Sequence, residues 1–311
     1  MKKVAITMGD PFGIGPEILY YALKAVIDKI SFKPILIGNP NIYKKLNFNP
    51  EQWFLDLFES SFNKDLQGDL GDCCVEGGQE SYSYLERSVE LVKNSTVAGI
   101  INAPVSKSAI SQTQKGFLGH TGYYEDTISS KEAVMTFYGE HFSMALLSHH
   151  IPIKDVSDYL FNNDLESTSK IAIEGFSQLY GRPIHVKVLG VNPHAGESGL
   201  ISYGEDDRLK ALVQDLDKTD NDVSGPYPAD TLFAGENLGD TDLIISAYHD
   251  QGLIPFKLMH FQKGVSITWG LDVPRMTVDH GTAYDLAGKS IAKYQSMAQV
   301  MCCMDDYLKD R

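Results

Sequence analysis

Basic residues are in short supply: 27 Lys and Arg stand against 41 Asp and Glu, a formal net charge of −14 over 311 residues. Such a surplus of negative charge repels a phosphate backbone or an anionic bilayer at long range, which argues against nucleic acid and membrane surfaces as partners. Cysteine is scarcer still, with four residues in two adjacent pairs, Cys73-Cys74 and Cys302-Cys303. That spacing suits neither a disulfide framework nor a CxxC zinc or redox motif, and free thiols point to a reducing cytoplasm. Long hydrophobic runs are also missing. No stretch approaches the roughly 20 apolar residues that cross a bilayer, and the apolar run after Met1-Lys2-Lys3 stops at Gly9-Asp10-Pro11, too early for a signal-peptide core. Without internal repeats or heptads, solenoid and fibrous architectures fall away.

What remains is ordinary globular composition, 43% hydrophobic and 22% charged. At this length two lobes with a cleft between them are expected. Val4 to Met8 reads as a buried strand, followed by a Gly/Pro-rich turn and a helix opening at Pro16-Glu17. Continuous apolar strands follow at 34–38 and 97–101, separated by a helix over 81–93. The segment 132–147 predicts two strands joined at Gly139-Glu140. After it come a helix over 169–180, strands at 185–191, 242–247 and 265–269, and a closing helix over 294–308. The class is α/β. The least regular stretches, 102–122 and 270–283, would let the chain leave one lobe and return, giving 1–110 with 275–311 as the first lobe and 111–274 as the second.

Three histidines share one context: His150, His194 and His249 each follow the C-terminal end of a strand. Ligands of open α/β sheets bind outside those ends, so three imidazoles there suit one divalent cation with positions left open, the catalytic pattern. Any one of them alone reads more simply as a loop hydrogen bond, and it is the three together that point to a cation. Cationic groups recur at comparable places: Lys107, His120 with Thr121, Lys257 and Arg275. They form a candidate clamp for a small, doubly anionic substrate. Gly9 to Glu17 is either a phosphate-cradling loop or a tight βα turn, and it matches neither GxGxxG nor Walker A. Asp279, His280, Gly281 and Thr282 lie in a compact polar loop suited to a nucleotide ribose or to helix capping. Asp230 and Lys107 are candidate bases.

The phrases GDPFGIGPE (9–17), GHT (119–121), NPHAGE (192–197), PADTLF (228–233), YHDQG (248–252) and VDHGTA (278–283) together resemble the 4-hydroxythreonine-4-phosphate dehydrogenase family. The match is ordered and spans nearly the whole chain. The resemblance implies a fold of the isocitrate and isopropylmalate dehydrogenase type, and a homodimer with its active site at the interface. It implies a divalent metal (zinc, magnesium or cobalt) on His150, His194 and His249, with the His150 position supplied by the partner subunit. It also implies NAD or NADP as cofactor, with the VDHGTA loop on the cofactor side, and substrate contacts from His120, Thr121, Lys257 and Arg275. Two departures stand near those positions: Gly122 replaces the Glu that usually follows GHT, and Ser266 replaces an Asn of the substrate-binding phrase. Serine keeps a hydroxyl but loses the amide's reach. The expected reaction is oxidation of 4-phosphohydroxy-L-threonine to a β-keto acid that loses carbon dioxide. The alternatives are another four-carbon phosphorylated acid, phosphoerythronate or phosphothreonate, and a catalytically silent binding protein.

Overall fold

The structure is a computed structural model and describes residues 1–260 and 263–309. In chain order its strands are β1 (Lys3–Thr7), β2 (Lys33–Ile37), β3 (Ile100–Asn102), β4 (Ser129–Tyr138), β5 (Ser143–Leu146), β6 (His185–Leu189), β7 (Asp222–Tyr227), β8 (Leu243–Ser246), β9 (Val265–Leu271) and β10 (Arg275–Val278). The longer helices are α1 (Gly15–Val26), α2 (Val75–Lys93), α3 (His120–Ile128), α4 (Leu165–Tyr180), α5 (Glu205–Leu216), α6 (His249–His260) and α7 (Gln295–Lys309). They form two compact units, Met1–Ala133 with Val265–Arg311, and Val134–Gly264. The first unit therefore includes α3 and β9, which the division at 110 and 275 assigns to the second lobe. Asn102 of β3 donates to Tyr124 of α3, and β9 pairs with β10, so both elements are tied to strands of the first unit.

In the first unit the strands run β2-β1-β3-β10 in parallel, with β9 antiparallel to β10. Val4, Ala5, Ile6, Ile100 and Ile101 are fully buried, as parallel strands covered on both faces require. Pro16 sits in the first turn of α1 as expected, where its missing N–H costs nothing. Glu17 does more than complement the helix dipole, because its carboxylate accepts the backbone N–H groups of Gly288 and Ser290. α2 begins six residues before the expected Ser81, at Val75. Gly77-Gly78 reads as a breaker in sequence. In the fold a Cβ on Gly78 would stand 2.3 Å from the Ala109 carbonyl oxygen, so the glycine serves close packing. The stretch 270–283, irregular by sequence, contains β10.

β4 leads the chain into the second unit, where β4 and β5 form the expected hairpin around Gly139-Glu140, with Thr136 opposite Ala145. β5, β8, β6 and β7 follow in parallel order. Phe137, Phe142, Met144, Leu189, Ile244 and Phe256 pack together as its core. Each fully buried side chain of this size contributes roughly 1.5–3 kcal/mol by leaving water. This rigid sheet carries His150, His194 and His249 on the segments that follow β5, β6 and β8.

Candidate active site

The first unit holds a cationic cradle. Arg275 opens β10 and is only 2% exposed. Its Nε donates to Asn102 Oδ1 at 2.8 Å and its Nη1 to Thr268 Oγ1 at 3.3 Å. Both acceptors are neutral, and no salt bridge to Arg275 occurs among the described residues. Burial lowers its pKa to about 10, so the guanidinium stays charged at neutral pH without a counter-ion. His120, the first residue of α3, is half-buried, and its Nε2 is enclosed with no hydrogen-bond partner. Burial, reinforced by the charges of Arg275 and Lys107, holds this imidazole well below its ordinary pKa. Gly119 adopts φ +129°, and a Cβ there would lie 2.8 Å from Lys107 Cε, so the glycine makes room for the lysine stem. Thr121 follows on the first turn of α3, and Ser266 lies buried on β9 opposite Thr277. A buried cation and an orphaned ring nitrogen under the influence of one lysine form an arrangement whose chemistry suits an anion.

Two loops of the same unit meet beside β1. The Ile14 N–H donates to the Thr282 carbonyl, and Tyr284 Oη donates to Asp10 Oδ2 at 2.7 Å. Asp10 also accepts the Phe12 N–H, while burial raises its carboxyl pKa. The glycine-rich turn is thus fastened to the 279–284 loop. Asp279, His280 and Gly281 remain exposed, and His280 Nδ1 lies 3.2 Å from the Gly281 oxygen.

In the second unit the histidines gather around Tyr248 to Asp250. His150 and His249 have ring centroids 6.0 Å apart, and His249 Nδ1 lies 2.6 Å from Asp250 Oδ1. A carboxylate on Nδ1 favours the tautomer in which Nε2 carries the acceptor lone pair, an arrangement often found around metal-binding histidines. His150 and His249 line a cavity of about 590 Å³ with Tyr248 and Asp250. Tyr248 and Asp250 also form a wall of a second cavity, about 530 Å³, lined by His194, Asp230, Asn192 and Gln251. Among the described residues no three His, Cys, Asp or Glu side chains come together as a metal cage, so one chain brings His150 to His249 but not His194 to both. Lys257 lies half-buried on α6 in this unit.

His194 sits in a left-handed turn in which His194 to Ser198 all have positive φ, between 45° and 82°. Such a run costs energy at every non-glycine residue and is held from outside. Asp206, 5% exposed, accepts the Val191 and Asn192 N–H groups and the Asn192 side-chain amide. Asp206, Asn102, Thr268 and His149, whose ring is 5.1 Å from that of His150, are absent from the sequence-based site. Asn102 carried one signal, a polar residue closing an apolar strand. Asp206 carried none beyond an acidic helix start.

Residues 21–303 match the family of the pyridoxal phosphate biosynthetic protein PdxA. The chain is 32% identical to the 4-hydroxythreonine-4-phosphate dehydrogenase of Desulfosudis oleivorans, over 94% of this chain and 92% of the relative. It is 33% identical, over 95% and 96% of the two chains, to a Salmonella typhi protein provisionally named D-threonate 4-phosphate dehydrogenase. The crystal structure of 4-hydroxythreonine-4-phosphate dehydrogenase from Klebsiella pneumoniae superposes with a TM-score of 0.80 at 27% identity, covering 99% of this chain and all of the other. The chain belongs to the PdxA family of pyridoxal phosphate biosynthetic proteins.

Proposed function

We propose that the protein catalyses the NAD- or NADP-linked oxidation of 4-phosphohydroxy-L-threonine to a β-keto acid, which decarboxylates to 3-amino-2-oxopropyl phosphate in vitamin B6 biosynthesis. The observation that carries this reading is the buried Arg275 charge, which pairs with no carboxylate among the described residues, beside the Nε2 of His120, which has no hydrogen-bond partner among them. Arg275, His120, Thr121, Ser266 and Lys107 of the first unit bind and orient the phosphorylated acid, and Lys257, carried by the second unit, is a further candidate contact. The guanidinium supplies paired donors and the lysines mobile charge. Asp230, exposed in the cavity it shares with His194, accepts the proton of the substrate hydroxyl, and Lys107 is the second candidate. Asp279 to Thr282 form the cofactor-side loop.

The imidazoles His194 and His249, with the partner subunit's His150, suit a divalent cation such as zinc, magnesium or cobalt by donor chemistry, and the Asp250 contact orients His249 for that role. A cation held by these imidazoles would supply Lewis-acid polarisation of the substrate hydroxyl, making it more acidic. Homodimer formation is supported by the apolar solvent side of α6, where Ile254 and Leu258 are 57% and 81% exposed. The four free cysteines suit a reducing cytoplasm. No helix among the described residues is long and apolar enough to cross a membrane.

A second reading has one specific observation in its favour. A Cβ at Gly122 would meet nothing within 4 Å, so the position that carries Glu in the resembling family is open here. A substrate with a hydroxyl in place of the ammonium group, phosphothreonate or phosphoerythronate, needs no carboxylate at that point. Side-by-side cofactor reduction with the three acids decides. The main reading expects the highest kcat/KM for phosphohydroxythreonine, and a tenfold or greater preference for either rival, worth about 1.4 kcal/mol, sinks it.

A further inference from the structure

Behind the cradle lies a buried polar chain that neither ligand nor solvent reaches. Thr7, Ser88, Asn102, Tyr124 and Thr268 are each 0% exposed. Asn102 is its centre, and every polar group of this residue's side chain is committed. Its Nδ2 donates to Thr7 Oγ1 and to Tyr124 Oη, both at 2.9 Å, and its Oδ1 accepts Arg275 Nε at 2.8 Å. Tyr124 Oη in turn lies 2.8 Å from Ser88 Oγ, and the Asn102 carbonyl accepts Thr277 Oγ1. The amide orientation follows from this pattern, because the only atom able to accept from a guanidinium is the oxygen. A buried arginine would ordinarily be matched by a carboxylate, which neutralises it. At position 102 the fold places the uncharged isostere.

We propose that Asn102 is a positioning residue that fixes the Arg275 guanidinium through a neutral acceptor, so that its charge remains available to the phosphate of the substrate. Rigid placement without neutralisation serves both halves of the task. The amide sets the direction of Nε, and with no carboxylate among the described residues paired to the guanidinium, the incoming phosphate is its counter-ion. The inference rests on the reading of the cradle as the phosphate site, and its test separates the two.

The full-length protein is titrated with inorganic phosphate while its melting temperature is followed, and KM and kcat are measured with the phosphorylated substrate. If phosphate stabilises the wild type and Arg275→Met removes that stabilisation, the cradle reading stands. If Arg275→Met leaves it untouched, the reading and the inference fall together. With the cradle standing, Asn102→Asp is expected to melt no lower than the wild type without ligand, because its carboxylate pairs with Arg275. It should lose the phosphate-induced shift and raise KM on the order of 100-fold while kcat changes far less. The neutral Asn102→Thr should keep the shift in the main. An Asn102→Asp protein that retains the full shift, or that fails to fold, overturns the inference. So does an Asn102→Thr protein that loses the shift at an unchanged ligand-free melting temperature. A merely structural Asn102 would lower stability in both variants and spare the KM-against-kcat split.

Discussion

At the scale of single residues, two groups carry an energetic signature of burial that an anion beside them would relieve. The lowered pKa of Arg275, from 12.5 to about 10, corresponds to about 3 kcal/mol of unfavourable burial at any pH below that value, a cost an arriving anion offsets. Removing the side chain therefore has opposed effects. Arg275→Met relieves the buried charge but leaves Asn102 Oδ1 without its donor, a loss of about 1–3 kcal/mol. Ligand-free stability should change little, while KM for the phosphorylated substrate rises roughly 100-fold or more, as steady-state kinetics would show. His120 gives a pH signature. Its folded pKa is depressed, so the unfolded chain takes up a proton below about pH 6.5 that the folded chain refuses, and this part of stability is lost as pH falls through that value. An anion beside the ring reverses the preference. Stabilisation by sulfate, which does not titrate in this range, should grow between about pH 8 and pH 5.5 and lose that growth in His120→Gln. Equal shifts at both pH values in the wild type would exclude His120 as an anion contact.

Elements explain why part of the site was legible and part was not. The strands before His150, His194 and His249 announce themselves as apolar runs closed by polar turns, and their places at strand ends follow from β5, β6 and β8. Arg275 was legible as a cation after Val273-Pro274. Its burial was not, since β10 is four residues long and depends on pairing with β3 and β9 from distant sequence. The same holds for Asn102, Thr268 and Asp206, whose partners are supplied by tertiary contact. β7 escapes a sequence reading because Gly225-Pro226 interrupts it, and Pro is tolerated there because β7 is a sheet edge. The helical stripe Leu209, Leu212, Val213 and Leu216 is left unassigned by the sequence reading although its spacing is regular. Gly77-Gly78 shows propensity losing to packing. In an exposed helix Gly→Ala gains about 1 kcal/mol. Here Gly78→Ala places a methyl 2.3 Å from the Ala109 oxygen, so the variant should be less stable by about 2 kcal/mol or more in urea unfolding. A gain in stability would contradict the close approach of α2 to the 107–111 segment.

At the scale of the whole molecule, a chain with net charge −14 recognises an anionic substrate by spending few cations in chosen places. Arg275, His120 and Lys107 belong to one unit, and the three histidines with Asp230 and Lys257 to the other. On the proposed function the first set takes up the anionic group of the substrate and the second set holds the cation and the base. The most direct measurement is the absorbance of reduced NAD or NADP on adding 4-phosphohydroxy-L-threonine, with and without a chelator, for the wild type and His249→Ala. The account predicts cofactor reduction by the wild type that the chelator abolishes and an added divalent cation restores, with at least a 100-fold loss in the folded variant. Reduction that is indifferent to chelator, or full activity in His249→Ala, would contradict it.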